Sequence, residues 1–365
     1  MRILFFGTYD VKSHPRVGVL AEGLRAHGHE VTEVNAPLGL DTASRVAILA
    51  QPWRLPVLGW RLASCWVRLA VGARRGPSPD AIVVGYLGHF DVRLARLLFR
   101  RKTIVLDHLI GAGDTARDRN LSGGGLKAKL LTAIDAGALK SADVIVVDTD
   151  EHLANLPEEH RGRGVVVPVG APEDWFAAAP KDDVPRAEDG PLRVAFFGLY
   201  TPLQGAPVIG EALRLLAGAS IQVTMVGHGQ ELDATRQAAE GGCATTWIEW
   251  VDSAELPALV AGHDVCLGIF GTGPKALRVV PNKVFQGAAA GCAIVTSDTA
   301  PQRRALGDGA VYVPPGDAAA LADALRGLAE DRAELSAARK RAHDAVLERF
   351  GCSAVVEPLV RRLGS

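Results

Sequence analysis

Residues 193–198 of this sequence read RVAFFG, and residues 2–7 read RILFFG. Each stretch is a short apolar run that ends at a glycine. Helical patterns follow both, over 15–27 in the first half and over 205–216 in the second. A strand, a glycine turn and an amphipathic helix are the opening of a doubly wound parallel sheet. Because this opening occurs twice, the sequence predicts two such sheets.

Further apolar runs alternate with helical patterns on either side of these openings. They predict strands at 30–34, 81–84, 103–106, 144–147 and 165–167, and at 221–226, 246–249, 265–268, 293–296 and 310–313. Between the halves, residues 172–191 carry four prolines and a run of charges, a composition typical of a linker. The sequence therefore predicts two α/β domains.

Composition excludes several classes of protein. The formal net charge of −1 over 365 residues gives no global field to attract nucleic acid, so no nucleic-acid partner is expected. The five cysteines form no Cys-x-x-Cys pair, which disfavours zinc-ribbon and thioredoxin-like folds. No apolar stretch is long enough for a signal peptide or a membrane span. We therefore expect a cytoplasmic chain that does not cross a membrane.

A dinucleotide-dependent dehydrogenase is disfavoured by the glycine pattern. Residues 7–12 read GTYDVK, which does not match Gly-x-Gly-x-x-Gly. The later pair Gly227 and Gly229 is followed by Leu232 where a third glycine would stand.

The most informative stretch is residues 267–298, LGIFGTGPKALRVVPNKVFQGAAAGCAIVTSD. Lys275, Arg278 and Lys283 lie among turn-forming glycines, and Pro281 suits the first turn of a helix. Cations beside the positive end of a helix could neutralise a pyrophosphate without a metal ion. The alternative interpretation is a solvated basic turn.

Within this stretch, PNKVFQGAAAG at 281–291, followed by an apolar strand and Ser-Asp, resembles the donor-site segment of family 4 glycosyltransferases. That family has the GT-B fold and the pattern Pro-x-Lys-x-x-Glu-x-x-Ala-x-Gly. The resemblance implies an α/β fold of two Rossmann-like parallel-sheet lobes that face each other across a cleft. It implies an acceptor-binding lobe at 1–175, completed by a C-terminal helix at 352–365, and a nucleotide-sugar-binding lobe at 190–350.

The resemblance also implies a retaining transfer of sugar from a nucleotide-diphosphate donor to an acceptor hydroxyl. The donor is then a co-substrate, and neither a cofactor nor a metal ion is expected. The acceptor would be a glycan, a lipid-linked sugar or a small molecule, in polysaccharide, glycoconjugate or glycosylated natural-product synthesis.

The chain departs from the family at three places. Gln286 stands where a glutamate holds the ribose, Arg278 stands where another glutamate faces the sugar, and the loop 199–205 (LYTPLQG) lacks the family's Arg and Lys. We hypothesise that Lys275, Arg278 and Lys283 bind the diphosphate instead. The predicted donor-site residues are Gly198, Gly227, Gly229, Lys275, Arg278, Asn282, Lys283 and Gln286.

In the first half, Asp107 and His108 follow the predicted strand 103–106, where side chains point into the crevice of a parallel sheet. Either side chain could therefore touch the reacting sugar, and both are predicted to be catalytic. The resemblance to the family implies a histidine at this strand end, and it assigns that role to His108 alone. A structural histidine is the alternative. The predicted residues of the N-terminal crevice and acceptor site are Gly7, Thr8, Arg16 and Asp114.

Between Arg45 and Val105 the chain carries eleven basic residues and two acidic ones, a local charge of +9. Trp53, Trp60 and Trp66 lie among them, and Arg54, Arg61 and Arg68 recur every seven residues. A helix with these features over 45–75 could lie on an anionic membrane, at its inner face. The alternative is a packed helix pair with an arginine-rich exterior.

Two other functions stay open at this point. A sugar-nucleotide 2-epimerase of similar fold is one, although the pocket segment is poor in the carboxylates that this reaction needs. A non-catalytic nucleotide- or glycan-binding relative is the other, because Gln286 and Arg278 could mark a degenerate site.

Overall fold

The computed structural model describes residues 1–9, 15–39, 55–85, 88–109, 111, 125–180 and 190–364. The chain divides into two compact units. The N-terminal unit comprises Met1–Pro168 with Val355–Ser365, and the C-terminal unit comprises Val169–Ala354. Each unit contains a six-stranded sheet whose paired strands are parallel. The prediction of two Rossmann-like parallel sheets is confirmed.

The sheet of the N-terminal unit has the order β2-β1-β3-β4-β5-β6. Its strands are β1 (Arg2–Gly7), β2 (Glu30–Asn35), β3 (Ala81–Val84), β4 (Thr103–Asp107), β5 (Val144–Val147) and β6 (Gly164–Val166). Its helices are α1 (Arg16–Ala26), α2 (Leu55–Arg75), α3 (Asp91–Leu98), α4 (Gly125–Ser141), α5 (Asp150–Asn155) and α6 (Glu158–Arg161). The central strands are buried on both faces, which explains their continuous apolar runs.

The sheet of the C-terminal unit has the order β12-β11-β10-β7-β8-β9. Its strands are β7 (Leu192–Phe197), β8 (Ile221–Val226), β9 (Ala244–Ile248), β10 (Val265–Leu267), β11 (Ala293–Ser297) and β12 (Val311–Val313). Its helices are α7 (Glu173–Ala177), α8 (Ala206–Leu215), α9 (Leu232–Ala238), α10 (Leu256–Ala261), α11 (Asn282–Ala289), α12 (Ala300–Leu306), α13 (Ala318–Glu330) and α14 (Arg332–Arg349), with a 3₁₀ turn at Ala276–Arg278.

The direction of winding reverses at β7, which pairs with β8 on one side and with β10 on the other. In open α/β sheets the ligand crevice lies at such a switch point, beyond the carboxyl ends of the strands. The residues that follow β7, β8 and β10 are therefore the candidate binding residues of this unit.

The last helix, α15 (Cys352–Gly364), contributes its residues from Val355 onward to the N-terminal unit. Its apolar face, with Val355, Val356 and Leu359, is buried. None of the helices in the described part of the chain combines the length and the apolar character needed to cross a membrane.

Candidate functional site

The carboxyl ends of β7, β8 and β9 are joined by backbone contacts. Gly198 N–H donates to the Val226 carbonyl at 3.1 Å, and Gly227 N–H donates to the Ile248 carbonyl at 2.8 Å. A Cβ on Gly227 would lie 2.0 Å from the Gly198 carbonyl oxygen, and its φ of 126° is unfavourable for other residues. Only glycine therefore allows these two loops to approach so closely.

The loop 199–205 is held between the ends of β8 and β10. Tyr200 N–H donates to the His228 carbonyl at 2.9 Å, and Phe270 N–H donates to the Gln204 carbonyl at 2.9 Å. Because both flanking strand ends bind its backbone, the loop has a fixed position at the switch point.

Lys283, on helix α11, places a positive charge next to this loop. It lies in the first turn of α11, and only 4% of its surface is exposed. Its Nζ donates to Gln204 Oε1 at 2.6 Å and lies 3.7 Å from the centre of the Phe196 ring. A Cβ on Gly198 would lie 3.3 Å from the same Nζ. Burial lowers the pKa of Lys283 to about 7.

The start of α11 adds to this positive potential. The helix begins at Asn282 after Pro281, which provides no side-chain cap. The first N–H groups of a helix have no partner within it, and they form the positive end of its dipole. Gln286, three residues after Lys283, lies on the same side of the helix and is buried. The structure thus brings Gly198, Lys283 and Gln286 into one region.

Lys275 and Arg278 lie on the 3₁₀ turn that precedes α11, and both are partly exposed. Arg278 Nε donates to the Pro274 carbonyl at 2.8 Å, a contact within its own turn. Their assignment to the diphosphate stays a prediction.

In the N-terminal unit, Asp107 forms a buried ion pair with Arg16. Arg16 Nε donates to Asp107 Oδ1 at 2.8 Å and to Oδ2 at 3.1 Å. The other guanidinium nitrogens donate to the carbonyls of Val167 and Pro168, each at 3.0 Å. Burial raises the pKa of Asp107, and the adjacent Arg16 opposes this rise. The pair ties the end of β4 to the chain that follows β6, so its observed contacts are structural. The catalytic assignment of Asp107 stays a prediction.

Thr8, which follows the end of β1 at Gly7, contacts an acidic residue that the sequence reasoning missed. Its backbone N–H and its hydroxyl both donate to Asp91 Oδ2 at 2.8 Å. Trp66 Nε1 donates to Asp91 Oδ1 at 3.0 Å. Asp91 is the first residue of α3, a favourable place for an acid, but its partners are distant in sequence.

His108 lies next to a second histidine. Its backbone N–H donates to the Val146 carbonyl at 2.8 Å, and its ring lies edge-on to that of His89, with centroids 5.6 Å apart. His89 Nε2 in turn lies 3.1 Å from Asp135 Oδ1. His89 and Asp135 were not predicted, because nothing in their local sequence marks them. Asp114 lies outside the described residues, within which no cluster of His, Cys, Asp and Glu could hold a metal ion.

Comparison with known families identifies a match in the C-terminal unit. Residues 191–331 match the family described as Glycosyl transferases group 1. This part of the chain is a glycosyl transferases group 1 domain. It contains Gly198, Gly227, Lys283 and Gln286, so the predicted donor site lies within the matched region.

Two curated relatives are similar to part of the chain. The phosphatidyl-myo-inositol mannosyltransferase of Mycobacterium tuberculosis is 31% identical over 210 residues, which cover 54% of this chain and 53% of the relative. The protein of the same name from Mycolicibacterium smegmatis is 32% identical over 173 residues, 46% of this chain and 43% of the relative. The chain thus matches about half the length of these relatives.

Solved structures match along the whole chain at low identity. Sucrose-phosphate synthase from Thermosynechococcus elongatus gives a TM-score of 0.72 at 14% identity, and covers 100% of this chain and 99% of its own. Anabaena Alr3699/HepE in complex with UDP and glucose gives 0.71 at 13%, with the same coverage. These similarities concern the fold alone. Together with the domain match, they confirm the predictions of a GT-B fold and of a glycosyltransferase domain.

Proposed function

We propose that the chain is a glycosyltransferase that binds a nucleoside-diphosphate sugar on its C-terminal unit. It transfers the sugar to an acceptor hydroxyl with retention of configuration and without a metal ion. The observation that carries the proposal is the buried ammonium of Lys283 beside Gly198, at the switch point of a glycosyl transferases group 1 domain. One structural neighbour, Anabaena Alr3699/HepE, is described in complex with UDP-glucose, a donor of this class.

The chemistry needs positive charge where the diphosphate departs. As the bond between the anomeric carbon and the diphosphate oxygen breaks, negative charge grows on the diphosphate. A charge-assisted hydrogen bond from Lys283, which is itself buried, and the positive end of the α11 dipole would stabilise that charge. Gln286 can both donate to and accept from the ribose hydroxyls.

The direct test is release of nucleoside diphosphate from a panel of UDP-, GDP- and dTDP-sugars, each with glycan, lipid-linked and small-molecule acceptors. We expect release that depends on an acceptor and persists in EDTA. Sugar isomerisation without an acceptor would identify an epimerase instead. Nucleotide binding without release under any condition would identify a non-catalytic binder.

We further propose that α2 lies on an anionic membrane and that the acceptor is lipid-linked. The outward face of α2 carries exposed apolar side chains at helical spacing, while Leu58, Leu62 and Leu69 on the other face pack into the core. The exposed ones are Val57, Trp60, Val67 and Val71. Trp60 is 72% exposed, whereas Trp66 faces inward to Asp91, and Trp53 lies outside the described residues.

Charge complements this apolar stripe. Arg61, Arg68 and Arg75 are exposed and recur every seven residues, so they line one flank of the helix. An apolar stripe flanked by arginines favours the interface of an anionic bilayer. The curated relatives are named for phosphatidyl-myo-inositol, a lipid acceptor, which supports an acceptor of this class.

Co-sedimentation with vesicles tests the membrane proposal. Wild-type protein should pellet with vesicles that contain anionic lipid, and less at high salt. Trp60→Glu should remove this binding, whereas Leu347→Glu, at an exposed apolar position on α14, should not. No pelleting of the wild-type protein at low salt would overturn the proposal. An equal rate with a lipid-linked acceptor and its deacylated headgroup would overturn the assignment of the acceptor.

A further inference from the structure

One aromatic side chain of the C-terminal unit is exposed at the edge of the sheet where the donor is proposed to bind. Trp250 is 71% exposed and follows the end of β9 by two residues. Among the described residues of this unit, no other large apolar side chain is as exposed. A solvent-exposed indole at a strand end can stack on a planar ligand.

His228 lies beside it. It follows Gly227 at the end of β8, and its ring centroid lies 6.5 Å from that of Trp250, with the ring planes tilted by 36°. The backbone contact between Gly227 and Ile248 fixes the two strand ends relative to each other. The His228 carbonyl also accepts a hydrogen bond from Tyr200 N–H. This bond joins the aromatic pair to the loop 199–205, which Lys283 contacts.

The spacing of the strands places the pair at a suitable distance from Lys283. The ammonium of Lys283 lies at the end of β7, and β8 and β9 follow in order along the sheet. Neighbouring strands lie about 4.8 Å apart, so the ends of β7 and β9 are separated by roughly 10 Å. A nucleotide bound along this edge, with its diphosphate at Lys283, would extend its base toward Trp250.

We infer that Trp250, with His228 beside it, is the stacking platform for the nucleobase of the donor. This inference rests on the proposed function, because it assumes that a nucleoside diphosphate binds at Lys283. Every nucleobase has a π-face, so stacking adds affinity with little dependence on the base. The pair therefore distinguishes a nucleotide from a bare pyrophosphate.

Calorimetric titration of the full-length protein with UDP, GDP, dTDP and inorganic pyrophosphate tests this. Trp250→Ala should weaken the binding of nucleoside diphosphates by about tenfold and leave pyrophosphate binding unchanged. Trp250→Phe should keep most of the affinity. The control Leu347→Ala, at an exposed position remote in sequence on the same unit, should bind like the wild-type protein. Thermal unfolding of each variant checks that it is folded.

The possible failures are distinguishable. If Trp250→Ala binds nucleoside diphosphates with the same affinity as the wild-type protein, the assignment of Trp250 as the stacking platform is overturned. The proposed function is then unaffected. An equal loss for pyrophosphate and for nucleotides would overturn it too, because the effect would then lie in the phosphate site. Failure of the wild-type protein to bind any of the nucleotides would overturn both proposals.

Discussion

The ammonium of Lys283 donates a 2.6 Å hydrogen bond to the side-chain oxygen of Gln204. Gln204 belongs to the loop 199–205. In the family that this chain resembles, the corresponding loop carries Arg and Lys, whereas this chain has neither in that loop. The charge therefore reaches the loop from α11, and a neutral amide holds it in place. The same residue accepts from Phe270 N–H through its backbone, so it links the loop, α11 and the end of β10.

Replacing Lys283 by methionine should weaken the binding of nucleoside diphosphates by roughly 10- to 100-fold, because a charge-assisted hydrogen bond is lost. Calorimetric titration measures the affinity. The free protein should be no less stable at pH 6, since an apolar side chain replaces a buried ammonium. An unchanged affinity would remove Lys283 from the donor site.

The stability of the same variant relative to wild type should depend on pH. Burial lowers the folded-state pKa of Lys283 to about 7, below its value in the unfolded chain. Between these values the unfolded state binds more protons, so wild-type stability rises with pH. The advantage of Lys283→Met is thus largest below pH 7 and shrinks as pH increases above it. Urea unfolding at pH 6, 8 and 9 checks this, and a constant difference would contradict it.

Nucleotide binding should take up protons at pH 8. Lys283 is largely neutral in the free protein at this pH, and a bound diphosphate favours its charged form. A terminal phosphate whose second pKa is roughly 6 is already ionised and takes up none. Titration in two buffers of different ionisation enthalpy measures the uptake. Lys283→Met should abolish it, and uptake that persists in this variant belongs to another group.

Two substitutions of Gln204 distinguish its role in positioning the Lys283 ammonium from the effect of charge at this place. Gln204→Ala removes the acceptor of the Lys283 hydrogen bond and should weaken nucleotide binding by a few fold. Gln204→Glu keeps the shape but pairs the ammonium with a carboxylate, which also repels the diphosphate. Its loss of affinity should therefore be the greater. A loss in Gln204→Ala with none in Gln204→Glu, measured by the same titration, would contradict this and show that Gln204 acts only by filling space.

Asp107→Asn tests the buried pair in the N-terminal unit. Removing one partner leaves the Arg16 guanidinium uncompensated, which should lower the free energy of unfolding by about 3–5 kcal/mol. Denaturant unfolding measures this, and Arg16→Met combined with Asp107→Asn should recover part of the loss. Normal stability together with lost turnover would instead support the catalytic assignment of Asp107.

The sequence by itself determined the two sheets. Residues 3–6 and 194–197 are apolar at successive positions because both faces of their strands are buried. The intervening helices are recognisable from the helical period of their apolar residues. It also placed Lys283 and Gln286 on one helix, since residues three apart on a helix are neighbours.

Tertiary structure decided which side chains meet. Gln204 and Lys283 are 79 residues apart, and Arg16 and Asp107 are 91 apart. Such pairs depend on the order of strands in the sheet and on the direction of each side chain, which no local pattern encodes. The exposed Trp250 beside His228 was missed for the same reason. Its environment is created by the alignment of two strand ends, not by the residues next to it in the chain.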